Sequence, residues 1–244
     1  MRAFVPLECN PEVFTSLLTS MGVSKSLAFH DVFTIDDASL LEFIPGPCYA
    51  LLLVFPTSDN YETYRKESDA NIYPYCASGA QEPLEGGVTW YRQTIKNACG
   101  TYALLHAIAN AVPRDLIKPN SLAEKLLSDT KPLDPVARAT YLECSKELES
   151  AHAAVASRGE TGAPAAEDGI DFHYVCLAKT QTNPPHLFEL DGRRAGPIDL
   201  GELSQIGDKD DALGPLSLAR VREFLTREGD SGMFSIIALS PSLD

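Results

Sequence analysis

Gln93-Thr94-Ile95-Lys96-Asn97-Ala98-Cys99-Gly100-Thr101 runs directly into Tyr102-Ala103-Leu104-Leu105-His106-Ala107-Ile108-Ala109, and the fold is read outward from this stretch. The second half is apolar and helical in pattern, so Cys99 is expected to open a helix. A sulfur placed there faces unsatisfied backbone N–H groups and the positive end of the helix dipole, both of which favour thiolate over thiol. A free thiol titrates near ~8.5, so such a shift would supply a nucleophile. Gly100 is expected to leave the sulfur open to a substrate backbone, and the Gln93 amide, one loop away, to donate to a developing oxyanion.

A cysteine nucleophile needs a base. Of His30, His106, His152, His173 and His186, only His173 lies in a short β-rich run, Phe172-His173-Tyr174-Val175-Cys176-Leu177-Ala178. A second run, Leu187-Phe188-Glu189-Leu190-Asp191-Gly192, follows after Thr180-Gln181-Thr182-Asn183-Pro184-Pro185, which is turn material. If the two form an antiparallel hairpin centred on Thr182, His173 stands opposite Asp191. Directly opposed Cβ atoms lie about 4.5–5.5 Å apart, near enough for imidazole and carboxylate to hydrogen-bond. The expected set is Cys99 as nucleophile, His173 as base and proton donor, Asp191 as its orienter and Gln93 in the oxyanion hole. Each has an ordinary reading when taken alone. Cys99 would be a small buried hydrophobe, His173 a satisfied core histidine, Asp191 a turn residue and Gln93 a loop amide. Their combination carries the assignment. His106, on the helix behind the nucleophile, reads as packing, and Trp90 and Tyr91 as core.

The chain has 244 residues, 44% of them hydrophobic, enough for one sizeable core, and a single domain over 1–244 is expected. The N-terminal stretch lacks a signal-peptide core, and Cys48–Phe55 is too short to span a bilayer. Six cysteines, Cys9, Cys48, Cys76, Cys99, Cys144 and Cys176, are scattered without a C-x-x-C pair. They read as reduced thiols, with neither a disulfide framework nor a metal site, and with no cofactor expected. A monomer of the cytoplasm, with the nucleus as an alternative or further location, is the expectation. Against 20 Lys and Arg stand 34 Asp and Glu, a net charge of −14. That argues against nucleic acid and for a basic partner, or for solubility alone.

Capping and breaker signals outline the elements. Asn10-Pro11 to Gly22 reads as a capped helix, Asp36-Asp37 to Ile44 as a second, and Cys48 to Phe55 as a strand buried on both faces at the sheet centre. Gly86-Gly87 to Tyr91 reads as a strand leading to Gln93. Ser121 with Glu124 marks another helix, Asp134-Pro135 starts one running to about His152, Ser217 to Glu228 forms the last, and Phe234 to Leu239 a final strand. Ala153 to Gly169, small and polar, reads as a long loop.

Gln93, Asn97-Ala98-Cys99-Gly100-Thr101, His106-Ala107-Ile108-Ala109-Asn110, the His173 strand and Glu189-Leu190-Asp191-Gly192-Arg193 together resemble the ubiquitin C-terminal hydrolases, the small papain-like deubiquitinases. Pro6-Leu7-Glu8, Asn10-Pro11-Glu12 and Ile237-Ala238-Leu239-Ser240 extend the resemblance over nearly the whole chain. The connection between the His and Asp strands is slightly longer than usual in that family. The resemblance implies a papain-like α/β (α+β) fold, a central antiparallel sheet flanked by helices on both sides, with a knotted backbone. It also implies that the segment about 153–169 crosses the active-site cleft. The implied partner is ubiquitin, or alternatively a ubiquitin-like modifier, approached by Pro6, Leu7, Glu8, Asp31 and Phe234, the last within Ser231 to Ile236; Met233 stands where relatives can carry Arg. The implied activity is thiol hydrolysis that frees small adducts or short extensions from ubiquitin's C-terminal glycine. Another Cys-His-Asp protease or acyl transferase, and an inactive ubiquitin-binding adaptor, are the alternatives.

Overall fold

The apolar run in the first quarter of the chain forms β2 (Ala50–Pro56), buried over its first six residues. Side chains alternate across a strand, so Leu51, Leu53 and Phe55 face one way and Ala50, Leu52 and Val54 the other, and each set joins a separate hydrophobic core. A strand buried on both faces belongs inside its sheet. The computed structural model, which describes residues 2–70, 87–160, 164–166, 171–203, 211–228 and 233–243, places β2 third in a six-stranded sheet. Its companions are β1 (Leu27–Asp31), β3 (Phe172–Lys179), β4 (His186–Leu190), β5 (Ile198–Glu202) and β6 (Ser235–Pro241). The order is β1-β6-β2-β3-β4-β5, antiparallel throughout, with the last strand inserted between the first two.

Helices cover both faces, as expected. On one lie α1 (Pro11–Ser20), α4 (Cys99–Asn110), α5 (Leu122–Thr130), α6 (Pro135–Cys144) and α7 (Lys146–Ala156), with α4 packed along β3. On the other, Tyr61 of α3 (Asp59–Ala70) and Val221 and Phe224 of α8 (Pro215–Glu228) enter the second core. The short α2 (Ala38–Leu41) is capped by Asp37. The caps read from sequence are present. Asn10 Oδ1 accepts from the Glu12 and Val13 N–H groups at 2.8 and 3.3 Å, with Pro11 next. Past the end of α1, Gly22 has φ +100, and a Cβ there would sit 2.2 Å from the Cβ of Ser121, the cap of α5. Glycine is required twice over at that position.

Three expected elements differ. Gly86 lies outside the described residues, and 87–91 join no ladder; the segment is irregular and bonded by side chains of α4, as described below. The helix expected from Asp134 to His152 is two, broken at Ser145, which adopts extended geometry (φ −73, ψ 107), closes α6 and accepts the Leu148 N–H on its hydroxyl to cap α7. Ala153 to Ala156 are the end of α7, so the loop expected at 153–169 begins four residues later; its residues 161–163 and 167–169, like Cys76, lie outside the described residues.

Candidate active site

Cys99 begins α4, and among the described residues no side chain caps that helix. Its first-turn N–H groups are therefore left to whatever negative charge develops at the sulfur or beyond it. The sharp entry is made by Asn97, which has φ +59, a left-handed conformation that asparagine tolerates better than most residues. Asn97 Nδ2 also donates to the Ala166 carbonyl at 2.9 Å. Gly100 serves a purpose other than the one expected. A Cβ on it would lie 3.2 Å from Phe14 and 3.4 Å from Leu7, so its bareness lets α1 and the N-terminal segment pack under Cys99 rather than clearing a path for substrate.

His173, buried on β3, meets the buried Asp191 one residue past the end of β4. His173 Nε2 and Asp191 Oδ1 are 2.7 Å apart. The hairpin register departs from expectation. β3 and β4 pair Cys176 with Leu190 and Lys179 with Leu187, centred on Asn183 rather than Thr182. Asp191 is thus two places from the position across from His173. A slip of two keeps the same face, whereas a slip of one would have turned the carboxylate to the other side. The diagonal reach succeeds because β4 has ended and Asp191 is free of the ladder. With Nε2 bound to Asp191, Nδ1 is the ring nitrogen left for Cys99, whose side chain hydrogen-bonds to the imidazole. Burial alone would lower the His173 pKa; the Asp191 charge and hydrogen bond, aided by Cys99, instead raise it to about 9. Burial likewise opposes the Asp191 charge, but His173, the Tyr61 hydroxyl and the Arg193 N–H hold that carboxyl well below the usual range.

Gln93 arrives on the segment that runs from Gly87. Here α4 supplies the partners that a neighbouring strand would otherwise give. Asn110 accepts the Thr89 N–H at 2.7 Å and donates to the Thr89 carbonyl at 2.8 Å. One turn earlier, His106 Nε2 accepts the Tyr91 N–H at 2.9 Å. Burial lowers the His106 pKa to about 4, so the ring is a neutral acceptor. His106 and Asn110 are i and i+4 on one helix face, which aligns them with alternate residues of the segment. The Gln93 N–H then donates to the Gly192 carbonyl at 2.8 Å. A Cβ on Gly192 would come within 2.8 Å of Gln93 Cβ, so glycine permits the close approach of the Asp191 loop to the Gln93 loop. Gln93 Nε2 donates one proton to the Ile95 carbonyl at 3.1 Å, which orients the amide and leaves its second proton for a ligand.

Cys99, His173 and Asp191 are thus in contact with one another, and Gln93 lies against Gly192, next to Asp191. The residues implied for binding lie elsewhere around them. Leu7 is buried under Gly100, its carbonyl taking the Tyr174 hydroxyl at 3.1 Å. Pro6 is half-buried beside it, and Glu8 accepts the Glu160 N–H at 3.2 Å. Asp31 is exposed at the end of β1, and Phe234, half-buried, stacks on Phe55 with centroids 6.0 Å apart. Met233 is exposed; 231–232 lie outside the described residues. Among the described residues, no group of three or more His, Cys, Asp or Glu is placed to hold a metal ion, and no helix is long and apolar enough to cross a membrane. Sequence reasoning missed Tyr61, whose hydroxyl donates to Asp191 Oδ2. It stands in a polar helix without an apolar stripe, whose readable signal was the charge spacing of Glu62, Arg65 and Asp69.

The sequence matches the family described as ubiquitin carboxyl-terminal hydrolase, family 1, over residues 4–221. It is 34% identical to ubiquitin carboxyl-terminal hydrolase 3 of Arabidopsis thaliana over 240 residues, 98% of this chain and 94% of that protein. It is 32% identical to ubiquitin carboxyl-terminal hydrolase isozyme L1 of Homo sapiens over 234 residues, 96% of each. Its fold resembles the UCH37 catalytic domain of Trichinella spiralis, solved bound to ubiquitin vinyl methyl ester, with a TM-score of 0.74 and 19% identity, covering 99% of this chain and 97% of that one. With a family match over most of its length and relatives this similar end to end, the chain belongs to ubiquitin carboxyl-terminal hydrolase family 1.

Proposed function

We propose that this protein hydrolyses the bond after the C-terminal glycine of ubiquitin, releasing small adducts or short extensions through an acyl-enzyme on Cys99. The observation that carries the reading is the convergence of Cys99 at an uncapped helix start with a His173–Asp191 pair buried from water. Cys99 Sγ attacks the glycine carbonyl carbon, and its electrons move onto the oxygen. That oxyanion is met by the Gln93 amide and the Cys99 N–H. His173, protonated and held by Asp191, gives its proton to the departing amine as the C–N bond breaks, leaving a thioester and a neutral imidazole. His173 then takes a proton from water, whose oxygen attacks the thioester; the ubiquitin carboxylate leaves and Cys99 is regenerated.

The net charge of −14 suits a partner whose C-terminal tail carries arginines, steering it to the cleft. Pro6, Leu7, Glu8, Asp31 and Phe234 are proposed to meet ubiquitin, Leu7 through its backbone since its side chain is buried. The test is turnover of a ubiquitin C-terminal fluorogenic amide. Wild-type protein is expected to hydrolyse it and Cys99→Ala to bind ubiquitin without turnover; equal turnover by the two would remove Cys99 from the mechanism, and no turnover by either would leave only a binding protein.

A further inference from the structure

Helix α3 has almost no apolar surface to bury: of its 12 residues only Tyr61 is buried. Such a helix is not held by a hydrophobic stripe, so its anchors must be polar. They fall in order along the segment that follows β4. Tyr61 donates to Asp191 Oδ2. One residue on, Glu62 pairs with Arg193 at 2.5 Å, and Arg65 donates to the Arg193 carbonyl at 3.2 Å. A turn later, Asp69 takes Arg194 at 2.7 Å and the Ala195 N–H at 3.2 Å, while Ser68 Oγ accepts from Arg194 at 2.6 Å. Arg194, buried, also reaches the buried Glu189 of β4, which Arg220 of α8 meets at 2.6 Å. The helix lies as a splint along residues 191–195, and its first buried residue lands on the carboxylate that orients His173.

We infer that Tyr61 is a positioning residue of the active site, acting through Asp191: its hydroxyl fixes Oδ2 so that Oδ1 is held toward His173. Asp191 Oδ1 has two donors, His173 Nε2 and the Arg193 N–H at 2.8 Å, and among the described residues Tyr61 is the donor to Oδ2. Without it, a buried carboxylate oxygen lacks a partner and the group gains by turning, which weakens its hold on the imidazole. The direction of the bond is set as well. Burial and the Asp191 charge push the Tyr61 hydroxyl up, so it keeps its proton and donates. The ring is fixed independently of the hydroxyl, by Phe55 at 5.0 Å between centroids and by the Arg227 guanidinium at 5.8 Å, and it lies 5.9 Å from the His173 ring. Tyr61→Phe therefore removes one hydrogen bond and leaves the packing.

This rests on the proposed role of His173 and Asp191, and the test separates the two. The His173 imidazole is titrated by NMR in the wild type, in Tyr61→Phe and in Tyr64→Phe, and hydrolysis of the ubiquitin amide is followed against pH. Tyr64 lies one turn along α3, and its hydroxyl takes Arg220 at 2.9 Å, so losing it perturbs the helix without touching Asp191. In Tyr61→Phe the His173 midpoint is expected to fall from about 9 toward 6.5, and kcat to drop about tenfold, the size of one charged hydrogen bond partly transmitted, with little change in KM. Tyr64→Phe is expected to leave the midpoint in place. A midpoint unmoved or raised in Tyr61→Phe, or the same fall in Tyr64→Phe, overturns the inference. The NMR result stands whether or not the wild type hydrolyses the amide, so failure of the proposed activity shows separately.

Discussion

Asp191 is the residue at which the local contacts decide the most. Its Oδ1 holds both the imidazole and the Arg193 N–H, and its charge keeps His173 protonated to about pH 9 against the opposing effect of burial. Asp191→Asn removes the charge and offers an amide proton where an acceptor stood. We expect kcat to fall toward the ~10⁴-fold loss typical when a buried orienting carboxylate is replaced by its amide. The basic limb of the kcat/KM profile should move down from about 9 toward 6.5. A limb that stays in place would show that Asp191 does not set the imidazole. Gln93→Ala is expected to cost roughly 2.7–4 kcal/mol in kcat if its amide is a true oxyanion donor, measured with the fluorogenic amide at saturating substrate. The pairing of His173 with Asp191 and the approach of Cys99 to His173 were legible because a nucleophile, a base and its orienter, if present, must be particular residue types in a particular order, and Gln93 rested on its spacing from Cys99. Tyr61 was not, because a tyrosine in a charged run looks the same whether it faces solvent or a buried carboxylate.

At the level of elements, the proposed site depends on α4 twice, since one helix carries Cys99 at its start and the clamp for the segment leading to Gln93 further along. His106 and Asn110 do for residues 89–91 what a neighbouring strand does elsewhere. His106→Leu fills the space but leaves the buried Tyr91 N–H unpaired. A loss of about 1–3 kcal/mol is expected in urea unfolding, with a fall in kcat because Gln93 lies two residues on. Unchanged kcat at reduced stability would separate the clamp from catalysis. Helices α1 and α5 were readable from caps and apolar spacing, α8 from apolar spacing alone, and β2 from its uninterrupted apolar run. The break at Ser145 was hidden because a serine inside a helical pattern signals a cap only once its neighbours have turned. The hairpin centre was missed by one residue for a related reason: the six-residue connection is turn-forming throughout and names no midpoint. Alternation along both strands nonetheless fixed the face, so the contact between His173 and Asp191 survived the slip.

For the whole molecule, the buried histidines make stability depend on pH in opposite senses. His173 titrates at about 9 folded and near 6.5 unfolded, so the folded protein keeps a proton that the unfolded chain releases in that interval. Its contribution is complete below pH 6.5 and is lost as the pH rises through about 9. His106, at about 4 when folded, is protonated first in the unfolded chain, so stability falls as the pH drops from about 6.5 to 4. Asp191, held low, loses its contribution in the same direction below the ordinary carboxylate range. The melting temperature should therefore peak near pH 6.5, and His173→Gln should shrink the alkaline decline; a decline of unchanged size would place its source elsewhere. The fold class was legible through the resemblance that the Cys99, His173 and Asp191 motifs carry, while the strand buried on both faces and the capped helices located individual elements within it. The central claim is that Cys99 is the nucleophile that ubiquitin's C-terminus meets. It is tested most directly by intact mass after exposure to ubiquitin vinyl methyl ester: the account predicts one covalent ubiquitin on the wild type, slowed addition on His173→Ala and none on Cys99→Ala, and an adduct on Cys99→Ala, or none on the wild type, would contradict it.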